Sequence, residues 1–245
     1  MNEVVPMTPG AGSARRPGGG GTVARTIIGA LFALLISACG ERDPAGTDVP
    51  GPSPESLSGV WSGTFPCSNC PGIDTTLWLR PDGRFFMEQR YLADDVSDEQ
   101  RLVAYGLGRW QWQAEGHGLV LSSEGPQREF TRPDENTLFM HTASPIEHRL
   151  DRSGTDFNFD GVLAMRAVVR AGESGYVLSE CLTGYEVPVA NGGDYRRFAE
   201  QFRSIVPRGE SAPLEFEGHF NWGEAGPPES VTIERFVRLL SEGGC

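Results

Sequence analysis

The chain contains no lysine: each of its 21 basic residues is arginine, set against 33 aspartates and glutamates, for a formal net charge of -12 and a pI near 4.8. Codon usage alone produces such an absence, so it points to no site. The shortage of positive charge does exclude a function class, because binding a phosphate backbone needs clustered basic residues. Nucleic acid is therefore not an expected partner.

Long hydrophobic runs are also missing. The apolar stretch Thr26 to Ala38, "TIIGALFALLISA", falls short of the ~20 residues a membrane helix requires. It follows Arg15, Arg16 and Arg25 and ends on small residues, the grammar of an export signal. Ile36-Ser37-Ala38-Cys39 has the form of a bacterial lipobox, in which Cys39 is lipidated and becomes the mature N-terminus. The alternative is an ordinary signal peptide that ends on a chance cysteine. Gly40 follows the cysteine where lipoproteins kept at the inner membrane typically carry Asp, which favours the outer membrane. The leader is long, and a start near Val23 would give it the usual length. Removing residues 1–38 takes away one Glu and three Arg and moves the net charge from -12 to -14. Lipid, not surface charge, would then hold the protein to an anionic membrane.

Cysteine is scarce, with five in all. With Cys39 lipidated, Cys67, Cys70, Cys181 and Cys245 remain, and an exported chain meets an oxidising compartment in which thiols pair. Four cysteines allow three connectivities. The arrangement Cys67–Cys70 with Cys181–Cys245 keeps each bridge inside one candidate domain.

The length and the 38% hydrophobic content allow one or two domains. Residues 39–56 are rich in Pro, Gly, Ser and acid, without apolar periodicity, and form a tether reaching roughly 25 Å as a coil. From 57 to 152 short alternating runs are separated by turn signals such as Pro81-Asp82-Gly83, and no helical stripe appears. About eight short antiparallel strands predict a small barrel or sandwich. From 157 to 245 the pattern is three strands, one helix and two strands. Asp194 stands as the N-cap, Tyr195, Phe198, Phe202 and Ile205 share a face, and Pro207 stops the helix. That order predicts an OB-fold, a five-stranded barrel, with a generic α+β domain as the alternative. The fold class is mainly β.

Residues able to carry chemistry are few. Cys67-x-x-Cys70 has thioredoxin-like spacing, but Pro71-Gly72 follows at once and denies it the helix N-terminus that stabilises a reactive thiolate. A structural zinc site needs two such pairs, and Cys181 and Cys245 stand alone and far off. A loop-closing disulfide is the simpler reading. By chain entropy a four-residue loop contributes roughly 2 kcal/mol and the long loop from Cys181 to Cys245 about 4, which makes the long bridge architectural. As reduced thiolates Cys67 and Cys70 would suit Cu(I), a soft ion, making them a possible metal or redox-responsive pair; no other cofactor is expected. His117, His141, His148 and His219 lie at no ligand spacing, and Met87, Met140 and Met165 sit in expected strands. Asp94, Asp95, Asp98 and Glu99 read as a solvated acidic loop. Trp61, Trp78, Trp110 and Trp112 belong to the first module and Trp222 to the second. Trp110 and Trp112 point the same way, either filling a barrel or lining its mouth. Nothing marks a nucleophile elbow, a phosphate loop or a paired acid and base, so the chain is expected not to be an enzyme.

Gly63 to Thr75, "GTFPCSNCPGIDT", resembles the G-T-x-P-C-x-x-C-x-G-I-x-T signature of the NlpE family of bacterial envelope lipoproteins. "RFFMEQRYL", "YGLGRWQW", "LSECLTGYEVPVANGGDYRRFAEQF", "LEFEGHF" and the terminal Cys245 extend the resemblance over the mature chain. It implies a lipocalin-like N-terminal barrel followed by an OB-fold, and an outer-membrane lipoprotein facing the periplasm. It further implies copper tolerance, surface sensing and Cpx-type envelope-stress signalling through an inner-membrane sensor kinase. By the same resemblance Cys67–Cys70 and Cys181–Cys245 are the disulfides, the second acting as the redox sentinel. The alternative is a periplasmic lipoprotein that binds copper or a small apolar ligand without signalling.

Overall fold

A computed structural model of the chain describes residues 51–93, 102–113, 118–143, 145–154, 157–224 and 226–245. Cys39, His117 and the acidic residues Asp94, Asp95, Asp98 and Glu99 lie outside them. The alternating segments form β1 (Gly59–Phe65), β2 (Ile73–Leu79), β3 (Arg84–Tyr91), β4 (Val103–Gln113), β5 (Gly118–Ser122), β6 (Arg128–Asp134), β7 (Thr137–Met140) and β8 (His148–Gly154). Each pairs with the next, and β8 returns to β1 to close a barrel. Gly63 lies at that seam, where a Cβ would stand 2.2 Å from the Arg149 carbonyl oxygen. Only glycine permits so close an approach of two backbones.

Every second residue points inward. Trp61, Leu77, Leu79, Phe85, Met87, Trp110, Leu119, Leu121, Phe130, Leu138 and Leu150 form one buried cluster. The interior is thus filled by side chains, each contributing roughly 1.5–3 kcal/mol by leaving water. Trp110 fills rather than lines, and Trp112 rests half-buried against the cluster. One end is plugged by α1 (Pro54–Leu57), a single turn with Ser53 as N-cap and Pro54 in its first turn. Leu57 is fully buried, and its carbonyl accepts the Trp61 indole N–H at 3.0 Å. Arg152 lies 4.3 Å over the Trp61 ring and donates to the Ser56 and Ser58 carbonyls at 2.6 and 2.8 Å. The end of the expected tether is therefore part of the folded body.

The second module comprises β9 (Leu163–Gly172), β10 (Gly175–Glu180), β11 (Glu186–Pro188), α2 (Tyr195–Ile205), β12 (Ser211–Trp222) and β13 (Pro228–Leu239). Its sheet has the order β11-β10-β9-β12-β13, and its two edges meet at a parallel bridge between Val189 and Val231. The helix packs Phe198 and Phe202 on Tyr176, with ring centroids 4.9 and 5.0 Å apart. Two details differ from the sequence expectation. Ile205 is 62% exposed because the helix ends there, and Ala199 takes the buried position instead. Asp194 occupies the N-cap position but makes no cap hydrogen bond; its carboxylate accepts from Phe236 N–H at 3.0 Å and ties the helix start to β13.

The barrel and the second sheet fall within one compact unit, Asp48–Cys245. Val60, Trp78, Phe86 and Leu107 alternate with the inward residues of their strands and so face outward, where they join the core of the second module. Phe86 meets Phe159 at 5.1 Å and Trp222 at 5.1 Å, and Trp78 meets Trp222 at 5.2 Å. Trp78 thus belongs to the contact between modules, not to the barrel interior.

Candidate functional site

The β1–β2 loop holds Cys67 and Cys70 in a disulfide with Cα atoms 5.3 Å apart. Pro66 ends β1, and β2 starts at Ile73, so a strand and not a helix follows the pair. The loop is fastened by the Leu92 N–H donating to the Gly72 carbonyl at 2.9 Å, and Phe65 at its base meets His148 edge-on at 5.1 Å. Both sulfurs are engaged with each other, so the thiolate pair a soft metal needs exists only after reduction.

Cys181 follows the last residue of β10 and is joined to Cys245 across a Cα separation of 5.0 Å and a sequence separation of 64. Its N–H donates to the Arg166 carbonyl at 2.8 Å, which fixes it beside β9. The chain then turns sharply, with Gly184 at φ 71°. Glu180 shapes this turn: its fully buried carboxylate accepts the Leu182 N–H at 3.0 Å, the Thr183 N–H at 2.7 Å and the Thr183 hydroxyl at 2.5 Å. Three donors satisfy a charge that would otherwise be costly to bury.

The barrel grips the same turn. Arg84 donates from Nε to the Thr183 carbonyl at 3.0 Å and lies 4.9 Å over the Tyr185 ring. Arg109 reaches the Leu182 carbonyl at 3.3 Å. The Tyr185 hydroxyl donates to Asp82 Oδ2 at 2.6 Å. Burial, and next that hydrogen bond, push the Tyr185 phenol well above the ordinary tyrosine value. Asp82 sits in the β2–β3 hairpin, whose Gly83 has φ 78°, as the Pro-Asp-Gly signal predicts. One residue before that turn, Arg80 is held between Trp78 and Trp222, its guanidinium carbon 4.5 and 4.6 Å from the two ring centroids.

The structure therefore separates the two cysteine pairs: one in a barrel loop, the other at the root of the turn that joins the modules. Among the described residues, no group of three or more His, Cys, Asp or Glu is placed to hold a metal ion. His141 lies 3.7 Å from Glu129 and His219 3.3 Å from Glu234, each beside a different carboxylate. Met87 and Met140 share the barrel cluster, while Met165 is in the other core. Sequence reasoning missed Arg80, Asp82, Arg84 and Tyr185. The available signal was the run of consecutive apolar residues in "LWL" and "FFM", which marks strands buried on both faces.

Comparison with known proteins gives a family match for the first module and a relative over most of the chain. Residues 61–147 match the family model of the NlpE N-terminal domain. Lipoprotein NlpE of Escherichia coli K12 is 28% identical over 212 residues, covering 80% of this chain and 83% of that protein. Among solved structures, the Cpx pathway activator NlpE from Escherichia coli is 23% identical with a TM-score of 0.30, over 78% of this chain and 96% of that one. A putative lipoprotein from Shewanella oneidensis is 27% identical with a TM-score of 0.33, over 42% and 98%. The first module thus matches the NlpE N-terminal domain model over residues 61–147, and the chain as a whole is similar to lipoprotein NlpE.

Proposed function

We propose that this chain is a membrane-anchored lipoprotein that senses surface, copper or redox stress and signals to a Cpx-type envelope-stress response, contributing to copper tolerance. The observation that carries the reading is the 28% identity with lipoprotein NlpE over 80% of the chain; the solved protein of that name is described as a Cpx pathway activator. In this reading Cys39 bears the lipid, the outer membrane is the anchoring site, and the body hangs into the periplasm. An inner-membrane sensor kinase is the partner. The protein turns over no substrate, and the second module is an OB-type barrel, as its three strands, helix and two strands suggest.

The Cys181–Cys245 bridge is the redox-sensing element of this proposal, because the turn that starts at Cys181 is the one gripped by Arg84, Arg109 and Asp82. The test is an envelope-stress reporter in cells with and without the protein, challenged with copper or with blocked disulfide formation. Induction is expected to need the protein, and Cys181→Ser/Cys245→Ser is expected to raise the unchallenged signal. Equal induction with and without it would overturn the proposal. The carrier reading is weakened by the filled barrel interior. Its copper arm predicts Cu(I) uptake by the reduced protein that Cys67→Ser/Cys70→Ser abolishes, measured by titration.

A further inference from the structure

Between the barrel and the second sheet lies a cleft of about 670 Å³ whose walls include Trp78, Leu79, Phe157 and Trp222. That volume falls within the range of small-molecule sites. Arg80 is part of the wall, and only 9% of its side chain is exposed. The two indoles hold its guanidinium by their faces, which accept no in-plane N–H. One Nη2–H goes to the Gly226 carbonyl, and Nε finds no hydrogen-bond acceptor among the described residues. The nearest carboxylate, Asp82, is 3.8 Å from Nε, beyond hydrogen-bond reach, and is already engaged by the Tyr185 hydroxyl and shared with Arg84 at 3.9 Å. A buried guanidinium whose Nε–H lacks an acceptor keeps part of its desolvation cost, which an oxyanion reaching the group from the cleft would offset.

We infer that this cleft binds a small organic carboxylate carried on an apolar body, with the carboxylate at Arg80 and the body against Trp78, Phe157 and Trp222. Glu55 and Glu224 also line the cleft and disfavour a second negative charge on the ligand, so a monocarboxylate fits better than a phosphate dianion. Free acyl chains and the C-termini of apolar peptides both present this chemistry. The site is independent of the signalling role proposed above, and it lies outside the barrel interior.

The experiment uses the folded protein, from residue 51 or from the mature N-terminus, and follows its indole N–H resonances by NMR. The probes are decanoate and N-acetyl-leucyl-phenylalanine, each beside its neutral partner, decanol and the dipeptide amide. Expected are shifts at Trp78 and Trp222 with either acid, at least tenfold weaker with the neutral partners, and none at Trp61 or Trp110 inside the barrel. The acid that binds more tightly identifies the source. Arg80→Gln is expected to lower affinity at least tenfold. Should that variant not fold, Asn158→Trp serves instead: Asn158 is an exposed cleft residue, and a bulky ring there should block binding while leaving Arg80 intact. No shift with either acid, equal shifts with acid and neutral probes, or undiminished binding in a folded Arg80→Gln or Asn158→Trp variant would overturn the inference.

Discussion

Opening the Cys181–Cys245 bridge should cost about twice what opening the Cys67–Cys70 bridge costs. The two span sequence separations of 64 and 3. Loop closure in the unfolded chain then accounts for roughly 4 kcal/mol in the first case and 2 in the second. The double serine variants isolate this effect, because neither site is a packed core position. Cys181 keeps its N–H bond to the Arg166 carbonyl at 2.8 Å, and Cys245 is exposed. Urea unfolding followed by tryptophan emission is the assay, and the core shared by barrel and sheet should give one transition. For a body of this size the losses correspond to falls in Tm of roughly 8–16 °C and half that. Equal losses, or a larger loss for the short bridge, would refute the argument that loop length sets the contribution. The architectural role assigned to Cys181 and Cys245 would fall with it.

Three further outcomes follow from single side chains. Tyr185→Phe removes a hydrogen bond to a charged acceptor and should cost about 1.5–3 kcal/mol in the same assay. Because the folded phenol is held neutral above its unfolded value, its stabilisation is complete below pH ~10 and is lost as pH rises beyond. The variant should therefore show a shallower alkaline decline in stability than the parent. Leu57→Ala empties a fully buried position at the plugged end of the barrel and should cost about 2–5 kcal/mol by urea titration. Gly63→Ala would press a methyl against the Arg149 carbonyl at the β1–β8 seam, and a loss of roughly 1–3 kcal/mol in thermal unfolding is expected.

The eight strands of the barrel were legible because they are short, alternate, and are divided by turns whose residues have a definite conformational reason to be there, as at Pro81-Asp82-Gly83. The three strands, helix and two strands of the second module were legible for the same reason. What could not be read were choices made by tertiary contact. Period-two alternation tells which residues share a face, but not which face of Trp78 and Phe86 meets the second module when both faces of the strand are apolar. The contact between Asp82 and Tyr185 spans 103 residues and leaves no local trace. Asp194 shows a strong cap signal, yet β13 offers the Phe236 N–H at 3.0 Å and wins its carboxylate. Ser53-Pro54-Glu55 does carry the start signal of a helix, but a tether rich in Pro and Ser hid it.

The geometry around Glu180 explains why the terminal bridge and the junction between modules form one structural unit. Glu180 ends β10, Cys181 follows, and of the next four residues Leu182, Thr183 and Tyr185 are held by the barrel through Arg109, Arg84 and Asp82. The barrel has an interior cluster of its own, with Trp61, Phe85 and Phe130 at its centre, that includes no residue of the second module. The core of the second module, by contrast, runs on into Val60, Trp78, Phe86 and Leu107 of the barrel wall. A disturbance at Cys181 therefore reaches Leu182, Thr183 and Tyr185 within one turn of chain, and through them the outer wall of the barrel. The barrel interior lies beyond that wall and holds together through its own contacts.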